Sequence, residues 1–174
     1  ALEAAGLLWL DEGPVRCAPV HNVGADFLEL GRIGSEQPTP EAARSFGRAL
    51  AQTHDLGAEA FGAAPPVPAA SSQWTRPAPE EGWRSGWFGP LEQPIEVSLE
   101  PTDSWGAFYG GQRLRPMLER LRSRGVTDSE LEDIERATEA IEAGRFDDGD
   151  RPARIHGDLW AGNLMWDDQG AVLI

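Results

Sequence analysis

A single cysteine among 174 residues removes a whole class of folds. Cys17 has no internal partner, so the chain is not a disulfide-stapled secreted scaffold; a reducing cytoplasm is the expected location. A plain small residue beside a strand is the expected role for Cys17. Basic charge is also scarce. Fifteen Lys+Arg stand against 29 Asp+Glu, which gives a net charge of −14 and a pI near 4.5. A surface this acidic repels phosphate backbones and anionic headgroups, so neither nucleic acid nor a membrane surface is an expected partner. No apolar run approaches the roughly eighteen residues a membrane-spanning helix needs. Leu7-Leu8-Trp9-Leu10 is too short for a signal peptide and lacks a basic start. The three histidines and the cysteine are scattered without metal-ligand spacing. There is no internal repeat. What is present, 40% hydrophobic residues, suffices for the core of one domain or of part of a larger one.

The pattern along the chain predicts mixed helix and strand. Leu2, Ala5, Leu8 and Trp9 share one face of a helix over 1–11, which Gly13-Pro14 ends. Short strands follow at 18–23 and 26–30, with a turn at Gly24. Thr39-Pro40-Glu41 opens the next helix: a hydroxyl cap, a proline in the first turn and an acid near the positive end of the dipole. Phe46, Leu50 and His54 lie on its buried face. Residues 57–101 read as irregular, since they hold eight of the 14 prolines. Trp74, Trp83 and Trp87 make this stretch too aromatic for a disordered linker, and a long loop in a compact domain is usually a binding loop or lid. Thr102 or Ser104 caps a helix carrying Trp105, Phe108 and Tyr109, and Pro116 must kink that helix or start a second one. Thr127 and Glu130 form a capping box for a helix that Gly144 closes.

The stretch that carries chemistry is Ile155-His156-Gly157-Asp158-Leu159-Trp160-Ala161-Gly162-Asn163-Leu164-Met165-Trp166. Ala153-Arg154-Ile155 is expected as a strand before the loop. Leu164-Met165-Trp166 is expected as a strand after it, turning at 167–170 into a second arm, 171–174. Asp158 can accept or orient the proton of an attacking hydroxyl. Asn163, five residues on, can offer its carbonyl oxygen to a magnesium ion that neutralises ATP phosphates. As a bare pattern these residues also suit a turn acid and a loop-ending amide.

The order H-G-D-x-x-x-x-N resembles the kinase catalytic loop H-R-D-x-x-x-x-N, with Gly157 in place of the arginine. That replacement points to small-molecule kinases of the same fold. With Trp160 and Gly162, the string H-G-D-L-W-x-G-N resembles the fructosamine kinase (ketosamine kinase) family, which lies beside the aminoglycoside and choline kinases. Trp87-Phe88-Gly89-Pro90-Leu91-Glu92-Gln93-Pro94 resembles the family's W-I-G-x-L-x-Q-x-N, departing from it at Phe88 and Ile95. Trp105-x-x-Phe108-Tyr109-x-x-x-Arg113-Leu114-x-Pro116 also matches. Leu50-Ala-Gln-Thr-His54 resembles L-A-x-L-H, with Thr53 replacing an apolar residue; His54 is expected to anchor the loop after its helix.

The resemblance implies an α+β, protein-kinase-like two-lobe fold. Residues 1–31 would be the end of an N-lobe: a helix, two strands and a hinge. Residues 32–174 would be part of a helical C-lobe with its catalytic loop at 155–163. It implies Asp158 as the catalytic acid–base group, Asn163 as a magnesium ligand, and Glu3 as partner of a lysine outside the chain. Adenine would be bound at the hinge by the Glu29 carbonyl and the Gly31 N–H. Trp160 is placed to touch substrate. ATP and Mg2+ are the implied cofactors, and a small-molecule or protein-bound ketosamine is the implied substrate, phosphorylated on a sugar hydroxyl in protein deglycation. The phosphate loop, the strand-three lysine and the second metal-binding aspartate of such kinases find no match here. The 174 residues are therefore expected to be an inactive portion of a longer enzyme. Two other readings stay open: an aminoglycoside, choline or homoserine kinase of the same fold, and a non-catalytic binding module.

Overall fold

Leu173 is completely buried, and one part of the fold is assembled around it. The computed structural model describes residues 1–68, 74, 79–89 and 92–174. These form two units. The first comprises Ala1–Gly57, Pro65–Gly82 and Ala153–Ile174, and the second Ala58–Ala64 and Trp83–Pro152. The content is mixed helix and strand, as the patterning predicts. The first two strands, the second helix and the loop-bearing hairpin belong to one unit.

In the first unit, α1 (Leu2–Asp11) buries Ala4, Ala5, Leu7 and Leu10. Strands β1 (Val20–Val23) and β2 (Leu28–Leu30) pair antiparallel, with an irregularity between Val20 and Asn22. α2 (Pro40–Asp55) starts where expected: the Thr39 hydroxyl accepts the Ala42 N–H at 3.1 Å. Leu7, Leu10, Val15, Cys17 and Leu173 form the core, with Phe46, Leu50 and Leu164 packed against it. Burying each large side chain of this kind stabilises the fold by about 1.5–3 kcal/mol. Cys17 is an inert member of the core; burial raises its thiol pKa to about 12.

Thr53 occupies a fully buried position that would suit an apolar residue, and the structure gives the reason. Its Oγ1 accepts the Val15 N–H at 3.1 Å. Gly13 fits against it so closely that a Cβ there would lie 2.4 Å from Thr53 Oγ1. The chain leaving α1 thus needs both a residue without a side chain and a buried acceptor on α2. His54 anchors the next turn through its backbone, its carbonyl accepting the Gly57 N–H at 2.9 Å.

In the second unit the stretch read as irregular contains a hairpin. β3 (Ser85–Phe88) pairs antiparallel with β4 (Ile95–Ser98), Trp87 opposite Glu96 and Phe88 opposite Ile95. Proline density hid it: Pro94 lies just before the second arm, outside both strands. The aromatic helix begins with the Ser104 hydroxyl accepting the Ala107 N–H and widens into a π-helical segment, Ala107–Leu114. It returns to α geometry as α3 (Arg115–Ser123). Pro116 explains the change. It has no N–H for the Gln112 carbonyl four residues back, and that carbonyl accepts from Arg113 Nη1 at 3.2 Å instead. α4 (Asp128–Glu142) starts at the predicted capping box, with Thr127 N–H donating to Glu130 Oε2 at 2.9 Å. Gly106 lets the π segment approach α4, since a Cβ there would meet the Ile141 carbonyl at 2.2 Å.

β5 (Leu164–Asp167) and β6 (Gly170–Leu173) form the hairpin expected at the end of the chain. Arg16 clasps its turn, donating from Nη1 and Nη2 to the two oxygens of Asp167 at 2.8 and 2.6 Å. This bidentate bond is the main reason the Asp167 pKa falls to about 2.

Two outcomes follow from this packing. Thr53→Val should lower stability by about 1–3 kcal/mol, because it orphans the Val15 N–H in the core; chemical denaturation measures it. For Asp167 the folded pKa, about 2, lies below its ordinary value of 3.8. Its stabilising contribution is therefore complete above about pH 4 and is lost as pH falls toward 2. The stability gap between wild type and Asp167→Asn should accordingly be widest near neutrality and close in that window.

Candidate functional site

The loop 155–163 is held at three points, all in the first unit. His156 is the first. Its Nδ1 accepts the Asp158 N–H at 3.3 Å, and its Nε2 lies 3.1 Å from the Ile174 carbonyl. A carbonyl oxygen can only accept, so Nε2 carries the proton and Nδ1 is free to accept. One ring thus joins the start of the loop to the residue after β6. Gly157 follows with φ 84°, a conformation that a β-carbon disfavours. The glycine that replaces the arginine of protein kinases therefore has a backbone reason here.

Asn163 is the second point. Its Nδ2 donates to the Asp158 backbone carbonyl at 2.8 Å and to Asp158 Oδ2 at 3.1 Å. Its backbone N–H donates to the Trp160 carbonyl at 3.0 Å, and its own carbonyl accepts the Ile174 N–H at 3.2 Å. A short 3-10 turn, Ala161–Asn163, makes this closure possible. The acid and the amide predicted from spacing are thus brought together in direct contact. Asp158 is exposed, and one of its carboxylate oxygens is left over from the contact with Asn163.

Trp160 is the third. Its indole lies over Gly162, where a Cβ would come within 2.3 Å of Cζ2. The other face is open, and the residue is 63% exposed. Trp160 therefore both packs on the loop and presents an apolar surface beside Asp158.

The remaining expected residues lie elsewhere. Glu3 is exposed in the first turn of α1. Glu29 lies in β2 opposite Asn22, and its Oε2 accepts from Asn22 Nδ2 at 2.5 Å. Gly31 requires a correction. Its N–H already donates to the Pro19 carbonyl at 2.7 Å, continuing the strand pairing, so it is not a free hinge donor. Spacing could not show this, because the irregularity in β1 sets which way the amide faces. Ala153–Ile155 is not a strand either. Arg154 is turned inward to fixed acceptors, and Ile155 is 57% exposed with no neighbouring strand to pair with.

The donor set suits one side of a divalent cation. With Asn163 Nδ2 committed to Asp158, its Oδ1 is directed away from that contact. Among the described residues no three His, Cys, Asp or Glu side chains converge to hold an ion. The loop can contribute to a metal bound mainly by phosphate oxygens, as magnesium is in phosphoryl-transfer sites.

Comparison with known proteins places these features in context. The profile of the family described as fructosamine kinase matches residues 2–174. A Thermus thermophilus protein named "Probable ketoamine kinase" is 28% identical over 172 residues, covering 99% of this chain and 53% of that protein. A Vibrio vulnificus protein of the same name is 35% identical over 73 residues, 40% of this chain and 24% of its own length. A crystal structure from Thermobifida fusca, described as a "putative fructosamine-3-kinase", superposes with a TM-score of 0.77 at 34% identity over 99% of this chain and 52% of that one. One from Haemophilus somnus with the same description gives 0.69 at 18% identity over 98% and 51%, a likeness of fold. The chain spans about half the length of the Thermus protein and of both solved structures.

The contact over Gly162 gives a direct test. In Gly162→Ala the new methyl must displace the Trp160 ring, and an exposed side chain can move at small cost. The Trp160 indole N–H resonance should shift while stability changes by less than about 1 kcal/mol.

Proposed function

Because this chain belongs to the fructosamine kinase family, we propose that it forms part of an ATP-dependent kinase that phosphorylates a sugar hydroxyl of ketosamines on glycated amines. Such an enzyme serves deglycation, acts in the cytoplasm and takes free or protein-bound ketosamines. In this reading residues 1–31 end the N-lobe and residues 32–174 begin the C-lobe. The supporting observation is the Asn163–Asp158 contact, which fixes an exposed carboxylate beside an amide oxygen directed outward.

Asp158 acts first by position. With one oxygen held by Asn163, the other accepts the hydrogen bond of the substrate hydroxyl and aims its lone pair at the phosphorus. As the new O–P bond forms, the bond from the γ-phosphorus to the bridging oxygen of ATP breaks, ADP leaves with that electron pair, and the hydroxyl proton moves to the carboxylate. Asn163 holds Asp158 in place, and its Oδ1 would be a ligand for magnesium, which would supply positive charge against the phosphates. His156 keeps the loop in register with the end of β6. Trp160 offers a flat apolar face to the sugar ring. Glu3 pairs with a lysine, and that lysine is not in this chain: its fifteen basic side chains are all arginine. The 174 residues by themselves are therefore expected not to turn over substrate. The acidic surface suits a ketosamine carried on a cationic amine.

In the full-length protein, Asp158→Asn should reduce turnover by about a hundred- to ten-thousandfold, the usual contribution of a positioned acid–base group. Its thermal midpoint should stay close to wild type, because Asp158 is exposed. Asn163→Ala should instead raise the magnesium concentration needed for half-maximal rate. A panel of a ketosamine, an aminoglycoside and choline tests the substrate: the ketosamine should be phosphorylated fastest. Equal or faster use of the others would leave the kinase chemistry and overturn the ketosamine reading.

A further inference from the structure

Arg154 is nearly enclosed, with 12% of its side chain exposed, yet it is neither a core residue nor a surface charge. Its acceptors explain this. Nη1 donates to the Trp9 carbonyl at 2.9 Å and to Glu12 Oε2 at 2.7 Å, and Nε donates to the Gly57 carbonyl at 3.1 Å. The guanidinium lies over the Trp9 ring, 4.8 Å from its centroid.

The Trp9 carbonyl needs this donor. In a continuing helix it would receive the Gly13 N–H, but Gly13 donates to Leu10 at 3.0 Å as α1 tightens at its end. A cation at that end also complements the helix dipole. Gly57, with φ 76°, turns the chain out of α2 and leaves its carbonyl facing the same guanidinium. Arg154 therefore ties the C-terminal end of α1 and the exit of α2 to a point two residues before His156, which orients the loop. Glu12 is 62% exposed and does not by itself offset the burial of the charge; the two carbonyls and the ring complete its surroundings.

We infer that Arg154 is a positioning residue for phosphoryl transfer, locking α1, whose first turn carries Glu3, to the loop that carries Asp158 and Asn163. The inference rests on the kinase reading above. α1 is a ten-residue rod about 15 Å long. Fixing its far end against the loop limits how Glu3 can move relative to Asp158. The planar fork of arginine meets acceptors in separate directions that an ammonium cannot meet together.

The test is a double-mutant cycle in the full-length protein, read as initial rates with a ketosamine and ATP. Arg154→Met should lower kcat by about tenfold or more while the ketosamine KM stays within about threefold, as expected of misplaced groups rather than lost binding. Arg154→Lys should recover part of that loss. Glu3→Gln combined with Arg154→Met should be little slower than Glu3→Gln alone, since both act through α1. An unchanged kcat per folded molecule, or fully additive losses, overturns the inference. Should Arg154→Met not fold, Arg154→Lys takes its place in the cycle. Amide exchange supplies a readout independent of turnover: loop 155–163 and the last turn of α1 should exchange faster in the variant while β1 and β2 do not. Uniform acceleration across these segments would show a purely structural role. A wild-type protein that does not phosphorylate ketosamines would overturn the functional reading, while the exchange result would still decide the coupling.

Discussion

The loop is only as fixed as the strand that follows it, and that strand is fixed at Leu173. Its side chain is fully buried among Leu7, Leu10, Val15 and Cys17. Its backbone is used on both edges. On one side it pairs with Leu164 across the hairpin. On the other its N–H donates to the Arg16 carbonyl at 2.9 Å and its carbonyl accepts the Ala18 N–H at 2.8 Å. A residue held by a partner strand, by the Arg16–Ala18 segment and by a core has little freedom to slide, because a one-residue slip would turn its side chain out of the core. Ile174, next in sequence, inherits that position and holds both His156 and Asn163. The exposed chemistry of Asp158 thus rests on a dry contact some residues away. The scaffold is buried, and the candidate functional groups stand on an exposed loop.

The parts legible in the sequence were those set by local chemistry. The Thr39 and Thr127 caps, the Gly144 closure and the β5–β6 turn each depend on residues within a few positions of one another. The nearness of Asp158 and Asn163 was legible for the same reason, five residues of a short loop; the hydrogen bond between them was not, since it depends on how the 3-10 turn closes. The β3–β4 hairpin was not, because Pro94 stands directly before an arm and composition alone does not tell turn from arm. The π-helical segment was only half legible. Pro116 announced a break, but where the ladder would adjust depended on Arg113 reaching the Gln112 carbonyl. The Gly31 donor failed through direction, since an irregularity in β1 decides which edge an amide faces. The role of Thr53 was visible only as a departure, an apolar position holding a hydroxyl; its partner, Val15, is 38 residues away.

Charge poses the last physical question. Several arginines are committed to carboxylates: Arg16 to Asp167, Arg44 to Glu41, Arg115 to Glu135 and Glu142, Arg122 to Asp128 and Glu135, Arg136 to Glu132 and Asp133, and Arg154 to Glu12. The exposed pairs among these, Arg44 with Glu41 and Arg136 with Glu132 and Asp133, contribute about 0–1 kcal/mol each, so they organise the surface more than they stabilise it. Pairing leaves the net acidic excess intact, because a salt bridge removes neither charge. The described contacts of the loop 155–163 include no arginine beside Asp158. A polyphosphate approaching this chain therefore meets a surface of net charge −14, with its own charge still to be offset. Beside that acidic surface, the loop 155–163 offers an amide oxygen and a carboxylate. Both are groups that work beside a cation, and neither supplies one.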